Sequence, residues 1–308
     1  MLPASSPSSP VSSERESAPG TPPQRRGRAA FQKLHVHAAS STSSFIERVC
    51  KRIGSAAELC GAAAFPKRAL MCGLPPKFTV RKYRFAEEQE EHEREHPKPE
   101  LVVLIPEVLD PQYGMYVWPC AVVLAQYVWF HRRLVRDKRI LELGAGVSLP
   151  GIVAAKCGAE IILSDNAALP QCLDNCRRSC EMNNLSGVFV TGLTWGQVSP
   201  ALLALPPVDI ILASDVFFEP EDFEDVISTV HYLMEKNPHA QFWTTYQVRS
   251  ADWSIQELLF KWEMESSCVP LQSFEANKEQ LALSLLPGRH TIEMMVITKV
   301  TMSHTVTV

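Results

Sequence analysis

Glu142-Leu143-Gly144-Ala145-Gly146-Val147-Ser148 is the stretch of this 308-residue chain whose reading decides the fold. An apolar strand signal, Arg139-Ile140-Leu141, runs into it, and a helix signal, Leu149-Pro150-Gly151-Ile152-Val153-Ala154-Ala155, runs out of it. Two glycines one residue apart let the backbone bend sharply and let a ligand approach the main chain. Ser148 stands where an N-cap belongs, and Pro150 falls in the first helical turn, where its missing N–H costs nothing. About twenty residues past the first glycine a second apolar strand, Glu160-Ile161-Ile162-Leu163, ends in Ser164-Asp165, placing an acid where ribose hydroxyls are held in nucleoside sites. Leu149 stands where a dinucleotide fingerprint has its third glycine, and no basic residue lies near the turn to meet a pyrophosphate. A nucleoside ligand without phosphates, such as S-adenosylmethionine, therefore fits better than NAD.

Composition narrows the class. An apolar fraction of 46% supports a sizeable core, and a net charge of −4 argues against binding nucleic acid by bulk charge. The charge is uneven, with residues 1–76 holding roughly +6 and the remainder roughly −10. The nine cysteines include no C-x-x-C pair and no zinc spacing, so no metal is expected; Cys172, Cys176 and Cys180 recur at helical spacing and read as packed thiols. The odd count, with no secretory signal, predicts a reducing, intracellular compartment, and no apolar run reaches membrane-spanning length.

Residues 1–76 read as a disordered, low-complexity extension, because the Ser-, Pro- and Arg-rich composition of the first 30 or so cannot bury enough surface to offset ordering entropy. The folded domain is expected over 77–308, with an N-terminal hairpin over 77–110 and a core over 111–300. Phe78 to Phe85 alternates at period two and Leu101 to Pro106 reads as its partner strand, with the acidic run Glu87 to Glu95 as the loop. Pro119 and the apolar stretch Ala121 to Leu134 predict a helix ending at the basic His131-Arg132-Arg133.

From residue 138 strand and helix signals alternate, with strands near 138–143, 160–165, 186–191, 208–214 and 240–246 and helices near 149–157, 168–182, 221–235 and 252–263. Such alternation means βαβ units and a parallel sheet covered on both faces. Val269 to Phe274 and Thr291 to Ile297, with Gly288 between them, predict a terminal hairpin whose last strand runs antiparallel to the rest.

In sheets of this kind ligands sit beyond the carboxyl ends of the strands. Four ends carry suggestive residues: the Gly144/Gly146 turn; Asp165, placed for a ribose diol; Leu193-Thr194-Trp195-Gly196, an aromatic wall for an adenine; and Ser214-Asp215-Val216-Phe217-Phe218-Glu219. Taken singly, each also reads as an ordinary strand end or packed aromatic.

Together with Gly114 to Trp118, these motifs resemble the seven-β-strand S-adenosylmethionine-dependent methyltransferases, and more narrowly their lysine-methyltransferase-like family 16; the resemblance covers roughly residues 78–300. It implies an α/β, Rossmann-like, doubly wound seven-stranded sheet with an antiparallel last strand and S-adenosyl-L-methionine as cofactor. It further implies that Gly144, Ala145 and Gly146 cradle the methionine moiety with help from Glu142. Asp165 would hold the ribose, Asn166 contact the adenosine and Trp195 flank the adenine. Trp118 would close over the methionine end, and Ala213 and Ser214 would lie beneath the methyl.

Many relatives carry D-x-x-Y at the fourth strand end; this chain has Asp215-Val216-Phe217-Phe218, so the phenol is absent. Glu219, Glu221 and Asp222 follow at once. They read equally as an acidic mouth for a guanidinium or as charges at a helix start. The expected catalytic group is Asp215, Phe218 and Glu219. The resemblance further implies methylation of protein arginine, with the histone H3 tail as the expected substrate, a role in chromatin and transcription, and residence in nucleus and cytoplasm. A chaperone or transcription-factor partner is expected, with no membrane and no sequence-specific nucleic-acid binding. Lysine methylation of a non-histone protein, a non-catalytic S-adenosylmethionine-binding partner protein and a nicotinamide-dependent oxidoreductase stand as alternatives.

Overall fold

The computed structural model describes residues 78–87, 99–108, 114–250, 253–286 and 291–300. Contacts divide the chain into units 1–60 and 61–308, and every described residue lies in the second. The expected N-terminal extension, most of the acidic loop and Gly288 lie outside the described residues.

The elements run β1 (Phe78–Ala86), β2 (Glu100–Val108), α1 (Pro119–Phe130), α2 (Arg132–Val135), β3 (Arg139–Glu142), α3 (Leu149–Lys156), β4 (Glu160–Asp165), α4 (Pro170–Met182), β5 (Phe189–Gly192), α5 (Pro200–Ala204), β6 (Ile210–Ser214), α6 (Phe223–Lys236), β7 (Gln241–Gln247), α7 (Gln256–Lys261), β8 (Met264–Val269), the two-residue strands β9 (Gln280–Leu281) and β10 (Ser284–Leu285), and β11 (Ile292–Lys299). The seven-stranded sheet has the order β5-β4-β3-β6-β7-β11-β8. Strands β3 to β7 pair in parallel, while β11 runs antiparallel to both β7 and β8. The strand order reverses between β3 and β6, and at this switch a cleft opens beyond their carboxyl ends.

Alternate residues of the central strands feed two cores. Ile161 and Leu163, with Ile210 and Leu212, face α1, α3 and α4, whereas Ile162, Ile211 and Ala213 face α6 and α7. Burial on both faces explains why these strands read as unbroken apolar runs. Helix α1 is buried all round, from Cys120 to Trp129, as a helix lying inside the fold must be. The β1–β2 ribbon docks through paired polar groups. Glu107 accepts from the Val117 amide at 3.0 Å, and the Asn183 side chain closes two hydrogen bonds with the Leu104 peptide, at 3.0 and 2.7 Å. These bonds satisfy groups that would otherwise be costly to bury.

Three local expectations are corrected. Val269 to Phe274 is not a strand: β8 ends at Val269, and Leu271–Phe274 is a 3-10 turn that begins just after Pro270. The strand lies earlier, in residues with the mixed character of an edge, and its partner β11 is inserted between β7 and β8 rather than closing the sheet. The long helix breaks at His131, splitting into α1 and α2. Ser148 occupies the N-cap position of α3 but caps nothing with its side chain, because its backbone is left-handed, with φ 62°, and the hydroxyl is fully enclosed.

Candidate active site

The cleft at the switch encloses about 860 Å³, inside the range of roughly 300–1,000 Å³ typical of small-molecule sites. It is lined by the Gly114–Trp118 segment and by the carboxyl ends of β3, β4, β5, β6 and β7.

The glycine turn forms the floor. Gly144 has φ 61°, and a Cβ there would stand 2.9 Å from the Trp195 ring and 3.2 Å from Val216. Gly146 has φ 52°, and a Cβ there would meet the Gly114 Cα at 3.0 Å. Both positions thus need glycine for conformation and for space. The Ala145 amide bonds to the Ser164 carbonyl at 2.9 Å, tying the turn to β4.

Asp165 ends β4 and is 9% exposed. Its Oδ2 accepts from the Gly146 amide and its Oδ1 from the Asn166 amide, both at 2.7 Å. Burial raises the pKa of this carboxyl, and the two amide bonds oppose the shift. The Asn166 side chain is exposed, accepts from the Ala168 amide at 2.9 Å and lies within 3.4 Å of the Thr194 hydroxyl. Trp195 stands on the turn, and Trp118 lines the cleft with its ring 4.8 Å from Tyr116.

Two residues expected at the cofactor do not line the cleft. Glu142 is 1% exposed and is not among the lining residues; its Oε2 accepts from the Gly151 amide at 3.1 Å, so it braces the start of α3. Burial raises its pKa strongly, opposed by that amide and assisted by the Asp165 charge. Ala213 is wholly enclosed in the core beneath β6, while Ser214 lines the cleft.

At the β6 end the expected catalytic residues separate. Phe218 and Glu219 line the cleft, with Glu219 exposed. Asp215 also lines it but is buried in a two-pronged ion pair with Arg249, whose Nη1 and Nη2 lie 2.9 and 2.7 Å from the two carboxylate oxygens. Glu221 does not line the cleft, whereas Asp222 and Asp225 do.

Gln247 and Arg249 were missed by sequence reasoning. They follow the rule that found the other groups, since they stand at the carboxyl end of β7, the fifth parallel strand, but they form no recognisable motif.

The lining residues carry five carboxylates and one guanidinium, which is already paired. Such a cleft suits a cationic ligand with a diol and no phosphates. The glycine floor, the enclosed acid and the flanking indoles fit S-adenosylmethionine, whose sulfonium is positive and whose ribose has two free hydroxyls.

Fold and cleft thus define a nucleoside-dependent transferase of the doubly wound class. A family model described as lysine methyltransferase matches residues 98–261, and the chain belongs to this family. Its cofactor is S-adenosyl-L-methionine. Among curated relatives, the histone-arginine methyltransferase METTL23 of Xenopus laevis is 69% identical over 64% of this chain and 84% of its own length. The Homo sapiens protein of the same name is 69% identical over 59% of this chain and 96% of its own. Methyltransferase-like protein 23 of Dictyostelium discoideum is 26% identical over 56% and 76%.

Proposed function

We propose that this chain is a protein-arginine N-methyltransferase that modifies the tail of histone H3, acts in chromatin and transcription control, and resides in nucleus and cytoplasm with a chaperone or transcription-factor partner. The observation that carries the acceptor assignment is the acidic mouth at the β6 end, where Glu219 and Asp222 line the cleft beside Phe218. The names of relatives that are 64–69% identical over 59–66% of this chain support the same reading.

The cofactor, when bound, supplies an electrophilic methyl carried on a sulfonium. The chain's own residues supply placement. The glycine turn allows main-chain approach, and Asp165 holds hydroxyls from the enclosed end of the cleft. Trp195 and Trp118 give the cleft flat apolar walls. At the other end an arginine stays charged at neutral pH, and its planar fork suits carboxylates. Glu219 and Asp222 attract and orient it, and Phe218 shapes the entry without a hydroxyl. Orientation of this kind supplies on the order of 7–11 kcal/mol at best.

The test is labelling of core histones with tritiated cofactor by the full chain, with Gly144→Val as control, followed by amino-acid analysis. Methyl-arginine on histone H3, lost in the control, is the expected product. Methyl-lysine without methyl-arginine sinks the acceptor assignment and favours lysine, the reading suggested by the family's description.

A further inference from the structure

Arg249 is the basic side chain among the described lining residues, and methyl transfer as described above has no use for it. It follows β7 by two residues and faces the cleft. Besides its two bonds to Asp215, its Nη1 donates to the Gln247 carbonyl at 3.2 Å, and the Gln247 amide in turn reaches Asp215 Oδ1 at 3.3 Å. The Cys120 side chain is buried in α1.

A carboxylate offers about four lone-pair sites. At Asp215 two guanidinium N–H groups and one backbone amide take three of them and engage both oxygens. Asp215 also has a left-handed backbone, φ 56°, pinned by its amide to the Thr245 carbonyl at 2.7 Å. Such a conformation persists where the surroundings over-determine it. This corner launches Val216 to Glu219, and so sets where Phe218 and Glu219 meet the cleft.

We propose that Arg249 is a positioning and selectivity residue: by engaging both oxygens of Asp215 it withdraws that carboxylate from acceptor binding, fixes the corner after β6, and leaves Glu219 and Asp222 to hold the substrate cation. The proposal rests on the methyltransferase reading of the cleft. The side-chain exposures agree with it. Asp215 is 5% exposed and Arg249 29%, so most of the pair's exposure is on the Arg249 side chain. A cationic acceptor arriving at the mouth meets Arg249 as a like charge ahead of Asp215, and is turned toward Glu219.

The full chain, Arg249→Ala, Arg249→Lys and Asp215→Asn are compared by calorimetry with S-adenosylhomocysteine, by melting temperature, and by kcat and KM on an arginine-bearing histone H3 peptide. Arg249→Ala is expected to lower kcat by about 10- to 100-fold, the effect of misplacing a substrate by about an ångström, with cofactor affinity within about twofold of wild type. Arg249→Lys, which keeps the charge but loses the fork, is expected between the two. The double variant Asp215→Asn/Arg249→Ala is expected to be no worse than the poorer single one, because both act through one pair.

Unchanged kcat and KM in Arg249→Ala overturns the proposal. So does a loss confined to melting temperature and cofactor affinity, or losses that multiply in the double variant. If Arg249→Ala fails to fold, Asp215→Asn carries the test: a fall in kcat at unchanged cofactor affinity supports the proposal, and wild-type kinetics overturn it. A wild-type chain that binds no S-adenosylhomocysteine and labels no protein defeats the methyltransferase reading instead, which separates the two failures.

Discussion

At the β4 end of the cleft Asp165 is enclosed and both of its oxygens are held by backbone amides, whereas at the β6 end Glu219 stands exposed and Asp215 is answered by a side chain two residues past the next strand. The first end is built from main chain and from glycines packed without clearance. The second is built from side chains on a strained corner. A ligand common to many enzymes can be held by groups fixed in a local turn. An acceptor peculiar to one enzyme is held by side chains that change without disturbing the sheet.

Breaking the first end is expected to have the largest effect. Gly146→Val puts a branched side chain where even a Cβ would touch the Gly114 backbone, at a positive φ. Affinity for S-adenosylhomocysteine, read by calorimetry, should fall on the order of 100-fold or more, with a lowered melting temperature. An unchanged affinity would mean that the turn is not the cofactor floor.

At the second end the effect should be smaller and of another kind. Glu219→Ala removes an exposed carboxylate, so stability should move by no more than about 0.5 kcal/mol. KM for a basic peptide should rise severalfold at low salt, and the gap from wild type should narrow as salt screens the mouth. A KM that ignores both the substitution and the salt would remove Glu219 from acceptor binding.

The smallest effect sharpens the contrast in protonation. Burial raises the folded pKa of Glu142 and Asp165 above the unfolded carboxylate range. The folded chain therefore keeps protons that the unfolded chain releases, and stability from these two groups declines as pH rises from that range through their folded values. Glu142→Gln should flatten the decline in melting temperature across that window while keeping an oxygen to accept the Gly151 amide. A slope identical to wild type would show that Glu142 does not titrate on unfolding.

The parallel sheet, the glycine turn and the four strand ends were legible because each rests on a local rule: apolar runs for strands buried on both faces, glycine where φ is positive, an acid after a strand. Asp165 was found that way. Glu142 was legible as a buried acid in the turn, but its bond to Gly151 was not, since it depends on how α3 settles on β3. Arg249 was invisible for the same reason, its partner lying 34 residues away, just past the end of another strand. The β8 region misled because a 3-10 turn after Pro270 and an edge strand share the same mixed pattern of polar and apolar residues.

Sequence alone determined the class of fold, the place of the glycine turn and the chemistry of the ligand, because periodicity, backbone freedom and charge act over a few residues. Tertiary structure alone decided where β11 inserts, which of two adjacent carboxylates stays open, and what neutralises the other. Those outcomes depend on side chains far apart in the chain meeting at one distance and angle, and no local pattern encodes such a meeting.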